Sequence, residues 1–171
     1  LSACAGDAQP TETPSPTGAP DADATLRVGL VLEPTNLDIR TTSGAALEQI
    51  LLDNVYESLL TRTQENEIEP RLATAYEVSD DGLTYTFTIR EGVTFHNGQA
   101  LTAADVVASL TAVKDDEGVV GHAELADVAT IAAAEDGTVV LTLTQPNINL
   151  LFSLTGPAGI IVPATDDTDR K

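Results

Sequence analysis

Hydrophobic and polar positions change their period several times along this chain, and each change predicts an element. Leu26-Arg27-Val28-Gly29-Leu30-Val31-Leu32 is nearly continuous in apolar residues, as a strand buried on both faces requires. Pro34 cannot donate to a sheet ladder, so the chain leaves the sheet there. From Gly44 the period becomes helical. Leu47, Leu51, Val55 and Leu59 recur at four-residue steps, Ile50, Leu52, Tyr56 and Leu60 widen the stripe, and Gln49, Asp53 and Glu57 mark the wet face.

The period then drops to two. Tyr85, Phe87 and Ile89 alternate with Thr84, Thr86, Thr88 and Arg90, after the turn residues Ser79-Asp80-Asp81-Gly82. Asn97-Gly98 predicts a second tight turn. Thr102 followed by Asp105 predicts a capped helix start, with Ala103, Val106, Val107, Leu110 and Val113 as its buried stripe. Glu135-Asp136-Gly137 predicts another hairpin, in which Val139, Leu141 and Leu143 alternate against Val140, Thr142 and Thr144. A short helix over 149–154 and a strand over 160–162 follow. Strands and helices are thus interleaved, with two antiparallel hairpins inserted: an α/β lobe carrying a small β-rich subdomain. No internal repeat and no transmembrane run is visible.

Composition changes this picture at the N-terminus. Residues 5–24 carry Pro10, Pro14, Pro16 and Pro20 and no Val, Ile, Leu or aromatic residue. Such a segment buries too little surface to fold, so an extended tether is expected before a folded unit that spans 25–171. The single cysteine, Cys4, excludes an intrachain disulfide. Its setting, Leu1-Ser2-Ala3-Cys4, is an apolar residue and two small ones before a cysteine, the layout of a bacterial lipobox. A lipidated Cys4 with a tether behind it would anchor the folded unit to a membrane, and two acyl chains make such anchoring stable. The chain has no methionine and stops just after an apolar Gly159-Ile160-Ile161-Val162, so it reads as a piece of a longer precursor.

Twenty-seven Asp and Glu stand against eight Lys and Arg among the 171 residues, a formal net charge of −19. That surface repels phosphate backbones and argues against nucleic-acid binding. Asp115-Asp116-Glu117 lacks the alternate spacing of a calcium loop and reads as a solvated helix end.

A catalytic reading finds little to stand on. His96 and His122 lie far apart and in no zinc-ligand spacing, and no nucleophile elbow, phosphate loop or dinucleotide fingerprint occurs. His96, beside Asn97-Gly98, is expected to pack or bond locally at its turn. No cofactor or metal is implied. Ligands of open α/β sheets collect at the carboxyl ends of strands. Glu33, Thr35 and Asn36 sit at such an end, where a carboxylate and an amide suit an ammonium group or a peptide backbone; the alternative is that Pro34 and Asn36 shape a turn and Glu33 is solvated.

From Tyr56 to Leu110 the chain reads Y-E-S-L, then E-P-R-L-A, then S-D-D-G-L-T-Y-T-F-T-I-R-E-G-V-T-F-H-N-G, then L-T-A-A-D-V-V-A-S-L. In order and spacing this resembles the N-terminal lobe of the extracytoplasmic solute-binding proteins of peptide and nickel ABC importers, family 5. The resemblance implies a partial periplasmic-binding-protein-like lobe of type II with an inserted β-rich subdomain, truncated before the second lobe. It also implies a monomeric, lipid-anchored receptor on the extracytoplasmic face of a bacterial cell membrane. Such a receptor closes two lobes around a peptide or small solute and delivers it to ABC permease subunits; a sensory or adhesive lipoprotein reusing the fold is the alternative. Members use the loop after the first strand, and also the segment after the T-A-x-D helix, which makes His122 and Glu124 further candidates beside Glu33, Thr35 and Asn36. The acidic anchor for a peptide's N-terminus comes from the later lobe in that family, and no position here corresponds to it.

Overall fold

The computed structural model describes residues 25, 27–29, 32–134 and 137–164. Cys4 and the tether read over 1–24 lie outside the described residues. Two antiparallel hairpins form the centre of the fold. The first joins β3 (Ala73–Val78) to β4 (Thr84–Ile89), the second β5 (Val128–Ala133) to β6 (Thr138–Leu143). Pairing of β4 with β6 merges them into one four-stranded antiparallel sheet of order β3-β4-β6-β5. A shorter pair, β1 (Leu60–Arg62) and β2 (Ile68–Pro70), precedes them.

The alternation read in the sequence decides which face is buried. Tyr85, Phe87, Val139, Leu141 and Leu143 point into the core, while Thr86 and Thr88 of β4 face outward. Helix α2 (Ala103–Asp115) lays Val106, Leu110 and Val113 on that apolar face. Its start is the capping box expected from Thr102 and Asp105. Asp105 N–H donates to the Thr102 hydroxyl, and Thr102 N–H donates back to the Asp105 carboxylate at 3.0 Å. At the β3–β4 turn Gly82 takes a φ of 69°, the left-handed conformation that glycine adopts without steric cost. The short helix α3 (Leu150–Ser153) and a 3-10 turn at Pro157–Gly159 add Leu150, Leu154 and Ala158 to the same core.

Three expectations differ from the structure. The helix from Gly44 is α1 (Ala45–Leu51) and stops there, so its stripe does not continue through Val55 and Leu59. Asn54 is the cause. Its amide donates to the Gln49 carbonyl, the Asp53 N–H turns to the Tyr56 carbonyl, and Asp53 takes a φ of 63°. Val55 is left 45% exposed, whereas Leu59 is buried in the sheet core.

The doubly buried strand over 26–32 is not formed by its described residues. None of them pairs with another strand, and Val28 and Leu32 are exposed. A strand of that kind needs neighbours on both sides, and no described residue supplies them. Lastly, the 160–162 segment makes a single antiparallel bridge, Ile160 to Ser58, in place of a strand. It packs with Ile39 and α1 in a second, smaller apolar cluster of Ile39, Leu47, Leu51, Ile160 and Val162. No helix of the described residues is long and apolar enough to cross a membrane.

Candidate functional site

A cavity of about 890 Å³ opens where four stretches distant in sequence converge: the loop 36–41, the turn 53–57, the turn 93–97 and the segment 161–163. Its size suits a small solute. Each wall is shaped by local chemistry. In the loop, Asn36 accepts from the Asp38 N–H and donates to the Thr42 hydroxyl, both at 2.9 Å. Asp38 in turn accepts from the Arg40 N–H and the Thr41 hydroxyl. These short side chains bonding to nearby backbone make the loop a stack of tight turns. Ile39 between them is driven into the second apolar cluster.

The second wall carries carboxylates. Arg71 Nη2 lies 2.8 Å from Glu57 Oε1, with its Nε 4.0 Å from Asp53, and the Thr61 hydroxyl donates to Asp53 at 3.2 Å. All three charged side chains are more than a third exposed, so these pairs orient the wall more than they stabilise it.

The third wall is the Asn97-Gly98 turn. Gly98 has a φ of 83°, and its N–H donates to the Phe95 carbonyl. His96 differs from the expected local packing. Its Nε2 donates to the Val55 carbonyl at 3.2 Å, across 41 residues, which ties the third wall to the second. The fourth wall, Ile161-Val162-Pro163, is extended chain fastened from two sides. The Ile161 N–H donates to the Glu57 carbonyl, and the Ser109 hydroxyl exchanges two 2.9 Å bonds with the backbone of Val162.

The cavity therefore offers hydrogen-bonding groups of both signs around an apolar floor of Leu72, Val93 and Leu101. Asp38, Asp53 and Glu57 line it together with His96; no Lys or Arg among the described residues lines it, and Arg71, outside the lining, pairs with Glu57 and Asp53. Among the described residues no group of three His, Cys, Asp or Glu side chains could hold a metal ion.

Residues 67–171 match the family model of the bacterial extracellular solute-binding proteins, family 5, in its middle region. The chain belongs to that family. It is similar to Protein XP55 of Streptomyces lividans, with 36% identity over 130 residues, which cover 75% of this chain and 23% of that protein. It is 32% identical over 129 residues to the probable peptide ABC transporter periplasmic-binding protein y4tO of Sinorhizobium fredii, covering 73% of this chain and 23% of that one. Among solved structures it resembles the periplasmic binding protein AgaA of A. tumefaciens R10 in complex with agropinic acid. There the TM-score is 0.71 at 34% identity, over 77% of this chain and 27% of that one. The family 5 chain thus spans about a quarter of the length of the relatives it matches. Its fold is part of a periplasmic-binding-protein lobe of type II, as the resemblance implied.

Of the residues singled out in the sequence, Asn36 lines the cavity, while Glu33 and Thr35 are exposed beyond its edge. His122 and Glu124 sit in a 3-10 turn, His122–Leu125, away from the cavity. The His122 Nδ1 donates to the Val113 carbonyl at 3.1 Å, which locks that turn against the end of α2. Partial burial and the neighbouring Glu48 carboxylate push the Glu124 carboxyl above its ordinary range. The structure brings Asn36 together with Asp38, Thr41, Glu57 and His96, none of which the sequence put in a site. The place of Asn36 at the end of the first apolar run is the signal that pointed there.

Proposed function

We propose that this family 5 chain is the opening part of a lipid-anchored extracytoplasmic receptor that delivers peptides, or a related solute such as a nickel chelate, to an ABC import permease. The cavity between 36–41, 53–57, 93–97 and 161–163 is the first lobe's share of the solute site. A second lobe closes over it by hinge motion, and the polar groups on its walls select the solute once water is excluded. The observation that carries this reading is the cavity itself, polar-walled and apolar-floored, in a member of a solute-binding family. Asp38, Asp53 and Glu57 outnumber the one cation that pairs with them, Arg71, and this balance favours a solute that presents an ammonium group or N–H donors. Similarity to y4tO, a probable peptide ABC transporter periplasmic-binding protein, supports peptides as the first class to test.

Cys4 carries the lipid in this proposal, and residues 5–24 form the tether. The receptor acts as a monomer and docks on the permease subunits. A thermal-shift screen of the full-length protein with peptides, cationic solutes and nickel chelates tests the receptor reading. At least one class should raise the melting temperature in a concentration-dependent way; silence from every class counts against transport. Lipidation is tested by mass spectrometry of the membrane fraction, in which Cys4→Ser should release the protein from the membrane.

A further inference from the structure

We propose that Asp105 and Ser109, one turn apart on α2, are positioning residues for the solute site: they hold its Ile161–Pro163 wall without lining the cavity. The inference rests on the reading of that cavity as the first lobe's solute site. Both residues are buried, at 3% and 2% exposure, and neither belongs to the cavity lining. The Ser109 hydroxyl donates to the Val162 carbonyl and accepts from the Val162 N–H, each at 2.9 Å. One oxygen of the Asp105 carboxylate takes the Thr102 N–H and hydroxyl, and the other accepts from the Ala164 N–H at 3.0 Å.

The geometry explains why this pair of positions works. Residues four apart on a helix are separated by about 6 Å along its axis. Two residues of extended chain cover about 6.6 Å. Ser109 and Asp105 therefore match Val162 and Ala164, running in opposite directions, like two rungs of a ladder. Alternate residues of the wall face the other way, and there the Ile161 N–H donates to the Glu57 carbonyl. The wall is thus clamped between α2 and the 57–59 segment with no sheet of its own. A carboxylate that caps a helix and fastens a cavity wall with its second oxygen couples the two structures directly.

The test uses the full-length protein carrying Ser109→Ala or Asp105→Asn, followed by hydrogen exchange and by titration with two probes, trialanine and nickel–histidine. In Ser109→Ala, amides of 160–164 should exchange about tenfold faster, the effect of losing roughly one net hydrogen bond, while β4 and β6 keep wild-type rates. A probe that binds the wild type should bind the variant about tenfold more weakly, with the loss in the dissociation rate. Asp105→Asn should loosen Ala164 in the same way and provides the second reading should Ser109→Ala not fold. Unchanged exchange at 160–164 overturns the proposal, as does exchange that rises equally throughout the sheet. A loosened wall with unaltered affinity overturns the positioning role. If the wild type binds neither probe and no solute class raises its melting temperature, the receptor reading is what fails, and the exchange rates still decide whether these residues hold the wall.

Discussion

The imidazole Nε2 of His96 donates to the carbonyl of Val55 at 3.2 Å and so joins two walls of the cavity that lie 41 residues apart. Removing it should separate those walls without reaching the core, because His96 is exposed and belongs to neither apolar cluster. His96→Ala is expected to cost about 1 kcal/mol or less in denaturant unfolding. The same variant should weaken solute binding several-fold in titration calorimetry. Wild-type affinity in this variant would place the turn outside the site.

Gly159 lies just ahead of the fourth wall, where a Cβ would stand 2.1 Å from the Leu154 carbonyl oxygen. No rotamer relieves such a clash, since the backbone fixes the Cβ and the atom it meets is itself backbone. Gly159→Ala should lose about 3 kcal/mol or more and express largely as unfolded protein. Gly44→Ala is the control, because a Cβ there meets nothing within 4 Å. Its cost should stay below about 1 kcal/mol, the range of N-cap preferences.

Acid should act through Asp105. Burial raises its carboxyl, but hydrogen bonds from Thr102, Ala164 and its own backbone outweigh that and hold it below the ordinary range. A depressed carboxyl stabilises the fold above its unfolded value, about 3.9, and that contribution vanishes as pH falls through the folded value. Wild type should therefore exceed Asp105→Asn by a constant margin, about 2 kcal/mol, from pH 7 to about pH 5. The margin should narrow below about pH 4. Unfolding curves across that range check it, and a margin that widens in acid would contradict the assignment.

Glu124 should behave in the opposite sense. With its carboxyl raised by partial burial and by Glu48, the fold prefers the protonated form, so this contribution is present in acid and lost as pH rises through the folded value. Glu124→Gln mimics the neutral state. It should melt at or above the wild-type temperature at pH 7, and the difference should close in acid. A clear drop at pH 7 would show that the ionised carboxylate has a favourable partner.

The sequence was legible wherever the deciding interaction is local. Gly82 closing a hairpin, Thr102 with Asp105 opening α2, and Val139, Leu141 and Leu143 facing inward all follow from neighbours within a few residues. The end of α1 was missed because a four-residue apolar stripe persists past it, while the extended Leu52 and the left-handed Asp53 break the backbone pattern beneath. The strand over 26–32 was read from apolar content alone, and content does not supply hydrogen-bonding neighbours. In the site, Asn36 could be picked out from its place after the first apolar run. His96 and Asp105 could not be seen in full, since their partners Val55 and Ala164 lie 41 and 59 residues away. Asp105 looked like a cap, which it is; its second oxygen was free for a task no local pattern encodes.

The central claim is that the cavity forms the first lobe's part of the solute site. Hydrogen exchange of the full-length protein, with and without a solute that raises its melting temperature, tests this most directly. Amides of 36–41, 53–57 and 93–97 should slow markedly on binding, while the outer strand β3 keeps its rate. Protection confined to other parts of the protein, with these three segments unchanged, would contradict it.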